Sequence, residues 1–196
     1  MLAIAEPRVA PTRTCSPPRR RGGYTRPVRF AIREAKPADA EGIARAHTAS
    51  WRSSYRGLLP DAVLDRIDVD QRTTSWRRVL QDPEVFTLVA YDMTHHDIVG
   101  FCDAGRNRGD SPYAAEVYRI YLEHHAKRHG LGREMFEQVT GWLRGQQLRS
   151  LIIWVLDNNH HARRFYEAMG GRAASRMPST VSGFPVVELA YVWDRL

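Results

Sequence analysis

Val28, Phe30 and Ile32 alternate with Arg29, Ala31 and Arg33, a period of two that predicts a half-buried strand. Pro37 suits the first turn of a helix, whose apolar stripe is Ile43, Ala44, His47 and Trp51 and which fades near Ser53 and Ser54. A glycine and a proline interrupt "YRGLLPDAVLDRI", with a short helix from about Asp61, and "DQRTTSWRRVLQ" predicts another helix, stopped by Asp82 and Pro83. Residues 85–92 and 97–105 flank a polar turn as a hairpin, and 114–122 predicts a third strand of this group. Leu131, Met135, Val139, Trp142 and Leu143 then line one face of a helix. "SLIIWVLD" is apolar throughout, as a strand covered on both faces should be. "HHARRFYEAMGG" predicts a helix closed by Gly170 and Gly171. Two strands, about 172–177 and 185–193, follow, separated by "PSTVSGFP".

The order β-α-α-α-β-β-β-α-β-α-β-β places the chain in the α/β class. Strand 114–122, helix 131–145 and strand 150–157 form a right-handed unit with parallel strands. The hairpin before it is antiparallel. The expected architecture is a mixed, mostly antiparallel sheet of about seven strands with helices on both faces. The longest apolar run, "LIIWVL", is far short of the ~18 residues a membrane-spanning helix needs.

Charge divides the 196 residues in two. Residues 1–27 hold six arginines and one glutamate amid proline and glycine, without an apolar period. They are expected to be a disordered basic extension, ahead of a domain covering 28–196. That domain carries 23 basic and 21 acidic side chains, a balance that argues against nucleic-acid binding by the fold itself. No apolar stretch follows the early charges, which argues against a secretory signal. Two cysteines, Cys15 and Cys102, point to a reducing, cytoplasmic compartment rather than a disulfide. The pairs His95-His96, His124-His125 and His160-His161 are poor chelates, because neighbours in a strand or helix point apart. They are expected at the surface, with no metal.

"HAKRHGLGREMF", residues 125–136, carries the chemistry. Gly130 and Gly132 follow a strand and open a helix, whose first N–H groups lack internal partners and sit at the positive end of the helix dipole. Glycine lets an anion approach them. A dinucleotide fingerprint would need a third glycine where Met135 stands, and a Walker loop needs Gly-Lys-Ser/Thr. The loop belongs to neither class. Taken alone, it fits an anion site and a plain strand-to-helix turn equally.

Over residues 28–195 the chain resembles the GCN5-related N-acetyltransferase (GNAT) family. The family's Gln/Arg-x-x-Gly-x-Gly/Ala signature reads "KRHGLG" here, with Lys127 in place of Gln or Arg. A second stretch, Asn-x-x-Ala-x-x-x-Tyr, is matched by Asn159, Ala162 and Tyr166, followed by Gly170; Gly171 replaces the usual Phe. The resemblance implies acetyl-CoA as co-substrate. Its pantetheine would pair with the backbone of Ile120, Tyr121 and Leu122, where two strands splay apart. Its pyrophosphate would rest on the amides of Arg128, His129, Gly130, Leu131, Gly132 and Arg133, with Lys127 beside them. Asn159 would contact the cofactor or cap its helix. Tyr166 would protonate the departing sulfur, or simply pack as a buried aromatic.

For the base, Glu116 opens the fourth strand, on a regular strand sharing a face with Tyr118, Ile120 and Leu122; partial burial would raise its pKa. It could equally be a solvated strand-end charge or a partner for Arg119. Trp51 and Tyr55 are aromatics suited to holding a cationic acceptor, which would enter beside the 178–184 loop. The implied reaction is acetyl transfer by direct attack to a primary amine of a small amine, a polyamine, an amino-acid-like metabolite, an antibiotic or a peptide. A non-catalytic acyl-CoA sensor or scaffold of the same fold stays open beside it. Homodimers are common in the family.

Overall fold

The computed structural model describes residues 29–196. The expected basic extension, Cys15 and Val28 lie outside the described residues. Strands β1 (Phe30–Glu34), β2 (Val85–Asp92), β3 (Asp97–Arg106), β4 (Ala115–Leu122), β5 (Leu151–Leu156), β6 (Arg172–Val181) and β7 (Phe184–Trp193) form one sheet in the order β1-β2-β3-β4-β5-β7-β6. Every neighbouring pair is antiparallel except β4 and β5. Helices α1 (Ala40–Tyr55), α2 (Asp61–Asp65), α3 (Val69–Val79), α4 (Leu131–Gly145) and α5 (His160–Ala168) complete the fold. The mixed, mostly antiparallel sheet expected from the apolar periods is therefore present, with its single parallel pair where β-α-β connectivity demands it.

Alternation along the strands sends side chains to two cores. On one face Leu88, Cys102, Val117, Ile153 and Tyr191 pack with Met135, Val139 and Leu143 of α4 and Tyr166 of α5. On the other, Val89, Ile98 and Phe101 pack with Ile43 and Ala44 of α1 and Trp76 of α3. Asp68 caps α3 by accepting from the amides of Asp70 and Gln71, which explains a helix start in so polar a segment.

Two expectations are corrected. Residues 178–184 are mostly strand, since β6 continues to Val181 and pairs it with Phe184. Only Ser182 and Gly183 turn, with φ of 50° and 80°, the left-handed pair a two-residue hairpin requires. Pro178, the first residue of the expected loop, is tolerated because β6 is an edge strand. The second correction concerns the face of Glu116. Asp103 pairs with Arg119 but Ala104 pairs with Val117, so a bulge leaves Tyr118 unpaired. An extra residue reverses the alternation beyond it. Glu116, opposite Gly105, and Tyr118, whose ring lies over Gly105, therefore share a face with Arg119 and Tyr121. Ile120 and Leu122 instead pack on the α4 side.

Candidate active site

β4 and β5 pair only through Ala115–Leu151 and Glu116–Ile152. Beyond that point β4 stays on β3 as far as Leu122, while β5 stays on β7 as far as Leu156. The strands thus open into a V, and among the described residues the β5-facing backbone groups of 120–122 have no strand partner.

The loop after β4 leads into α4 through two left-handed residues, Arg128 (φ 64°) and Gly130 (φ 85°). Glu134 is the first residue of the helix whose amide finds a carbonyl, that of Gly130, at 3.0 Å. Among the described residues no acceptor meets the amides of Arg128 through Arg133. A side chain at Gly130 would project into open space, and one at Gly132 would touch Phe165 of α5 at 3.4 Å. The arrangement is a cradle of unpaired donors at the positive end of a helix, with room above it.

The flanking side chains are placed less uniformly. Arg128 is exposed, and Arg133 lies 3.8 Å from Glu137. His129 packs edge-on to Phe30, ring centroids 5.0 Å apart. Lys127 turns away toward α1, donating to Ser54 Oγ at 3.2 Å, and its partial burial lowers its pKa. Asn159 caps α5, its Oδ1 accepting from the Ala162 amide at 3.2 Å.

Tyr166 lies on the α4–α5 side of the V, 5% exposed, against Phe165 and Tyr191. Its hydroxyl has no hydrogen-bond partner among the described residues. Burial, with Tyr121 and Cys102 nearby, raises its pKa well above the ordinary tyrosine value. A Cβ at Gly171 would come within 2.7 Å of the Trp193 ring, so Trp193 fills the room that a side chain there would take.

Across the V lie groups from α1, α3 and β4. The Tyr55 and Tyr121 hydroxyls are hydrogen-bonded. Trp51 stands edge-on to Tyr55, with centroids 5.1 Å apart, and the Arg72 guanidinium lies over the Trp51 ring at 4.7 Å. One face of the indole expected to hold an acceptor's cation is thus taken by the protein's own arginine. The tip of the β6–β7 hairpin closes this region, with Val181 and Val186 packing near Tyr55, Leu59 and Leu64.

Glu116 is half-buried and accepts from the Arg108 amide at 3.2 Å. Burial raises its pKa, and the charges of Asp103 and Glu188 add to the effect. Asp103 is fully buried and bound by Arg119, whose Nε donates at 3.0 Å. Burial raises the Asp103 pKa, with Arg119 opposing.

Sequence reasoning did not single out Arg72, Asp103 or Glu188, it offered Arg119 only as a partner for Glu116, whereas Arg119 pairs with Asp103, and it placed His47 only in an apolar stripe. A histidine within such a stripe was the one available signal. All six residues of the three histidine pairs are exposed. Among the described residues no group of three or more potential ligands could hold a metal, no helix is long and apolar enough to cross a membrane, and Cys102 is buried and unpaired.

Comparison with known proteins gives the arrangement its context. The model of the acetyltransferase (GNAT) family matches residues 45–171. An uncharacterized N-acetyltransferase of Bacillus subtilis, YuaI, is 28% identical over 167 residues, covering 84% of this chain and 93% of that protein. Among solved structures, the PaiA N-acetyltransferase of Thermoplasma acidophilum in complex with coenzyme A is similar, with TM-score 0.63 and 16% identity over 82% of this chain and 97% of that one. So is YncA of Salmonella typhimurium with acetyl-CoA, at TM-score 0.61 and 19% identity, covering 84% and 92%.

Proposed function

The chain belongs to the acetyltransferase (GNAT) family and is an acyltransferase; from that premise we propose that it moves the acetyl group of acetyl-CoA to a primary amine by direct attack. The observation that carries this reading is the run of unpaired amides from Arg128 to Arg133 beside the open V. Those amides suit a pyrophosphate, and the free edge of β4 at Ile120–Leu122 suits the amides of pantetheine, added like a short strand. Main-chain contacts of this kind need glycine more than charge. That is why Lys127 can point to Ser54 without loss of the cradle.

Direct transfer joins the amine nitrogen to the acetyl carbon and breaks the carbon–sulfur bond. The departing sulfur needs a proton and the attacking amine must lose one. Tyr166 supplies the first: burial keeps its hydroxyl protonated, with no acceptor among the described residues competing for it. Glu116 is the base on the acceptor side, where its raised pKa makes it a better proton acceptor. It receives the proton directly or through water. A backbone N–H near Leu122 faces the developing oxyanion. The acceptor enters on the α1 side of the V, beside the β6–β7 hairpin.

The test is thiol release from acetyl-CoA by purified protein across a broad amine panel, with CoA binding followed by calorimetry. Turnover that falls in Tyr166→Phe while CoA still binds supports the reading. Silence with every amine, CoA still bound, supports the sensor instead.

A further inference from the structure

The acceptor side contains buried hydrogen-bond donors that the protein leaves unmatched. His47 is 7% exposed, boxed by Phe101, Tyr121, Trp51 and Trp76 with ring centroids 5.0–6.0 Å away. Its Nδ1 accepts from Trp76 Nε1 at 3.3 Å, and burial with two nearby arginines holds its pKa down to about 2. The ring is therefore neutral. With Nδ1 accepting, its proton sits on Nε2. That Nε2–H is buried and has no partner among the described residues.

Arg72 repeats the pattern. Its Nη1 is buried without a partner, and the side chain makes no ion pair or hydrogen bond among the described residues. Its own burial, with the cationic neighbours Arg119 and Arg52 adding to it, lowers its pKa to about 10, so it stays charged at neutral pH. Arg119 is committed to Asp103, leaving no nearby carboxylate for Arg72. The Trp51 indole N–H approaches the Tyr121 hydroxyl without a well-aligned bond.

These open valences have one sign. His47 Nε2 and Arg72 Nη1 are both donors, and both groups flank the Trp51 ring, at 5.8 and 4.7 Å. A half-buried guanidinium with one nitrogen sealed from water and no anionic partner is unfavourable, and an apolar or cationic guest would leave it so. A carboxylate supplies the acceptor these donors lack and offsets the excess charge, with arginine well suited to hold it. We propose that this cluster of donors binds the anionic group of the acceptor, so that the substrates are amines that also carry a carboxylate or an oxyanion of similar size: amino acids and their close analogues. The inference rests on the acceptor side assigned above, with the amine placed toward the V and the anion toward α3.

Calorimetry on the CoA-loaded protein tests it without depending on turnover. The probes are N-acetyl amino acids and their neutral amides, as matched product pairs. The expected result is that at least one acid binds about tenfold or more tightly than its amide, a difference of about 1.4 kcal/mol. Arg72→Met, which keeps an aliphatic stem on Trp51, should bring the ratio within about twofold. Acids binding no better than amides in the wild-type protein overturn the proposal, whether or not the variant folds. So does a preference that persists in a folded Arg72→Met. Thiol release with free amino acids and their amides separates the two ideas. No turnover of any amine, with acid selectivity intact, defeats the catalytic reading alone. Turnover that favours the amides defeats the anion-binding cluster alone.

Discussion

The Tyr55 and Tyr121 hydroxyls lie 2.7 Å apart, joining the last residue of α1 to β4. Burial raises both pKa values above the ordinary tyrosine value, so both hydroxyls stay protonated at neutral pH and one donates to the other. Tyr55→Phe should cost about 1 kcal/mol of stability, the net worth of a neutral hydrogen bond. In a cycle with Tyr121→Phe, denaturant unfolding should show a coupling of similar size. Strictly additive effects would mean that the bond contributes nothing.

Tyr166→Phe should lower kcat by about 10²–10³, within the range for a lost general acid, with CoA affinity nearly unchanged. The wild-type pH profile gives a second check. Because burial raises Tyr166 above its ordinary value of 10.0, kcat should show no decline centred there. A decline near 10 would assign the proton to another group.

Glu116→Gln should lower kcat/KM and raise the melting temperature at neutral pH. The raised folded-state pKa sets the sign: the folded state prefers the protonated acid. Stability from this group is present below the unfolded value and lost as pH rises through the folded one. The glutamine variant should therefore gain most on the wild type above that window, in thermal melts across a pH series. Equal gains at all pH values would remove the burial argument.

Arg119→Met should destabilise the fold by about 3–5 kcal/mol, because it leaves the Asp103 carboxylate buried and unpaired. Adding Asp103→Asn should recover much of that loss. The single variant should become relatively more stable as pH falls, since protonation removes the orphan charge. Urea unfolding at two pH values decides the matter.

Gly130→Ala places no atom against the protein, since the space above the glycine is open. Its φ of 85° nevertheless costs a Cβ-bearing residue about 1–2 kcal/mol. Melting should fall accordingly, and the Kd for CoA should rise about tenfold, as expected for a loss of about 1.4 kcal/mol. Unchanged CoA affinity would move the pyrophosphate away from this loop.

The order of elements, the strand–glycine–helix junction at 122–132 and the spacing of Asn159, Ala162 and Tyr166 were legible in the chain, because each depends on periodicity or on neighbours within a few residues. Tertiary structure alone decided which face Glu116 shares. A period of two reports a face only while the register is unbroken, and the bulge at Tyr118 breaks it. Tertiary structure also carried β6 through Pro178, because an edge strand has a side where the missing N–H does no harm. It laid Arg72 on Trp51 and left His47 Nε2 without an acceptor. Those relations join α1, α3 and β4, whose mutual placement is set by how the two cores pack and leaves no local pattern in the sequence.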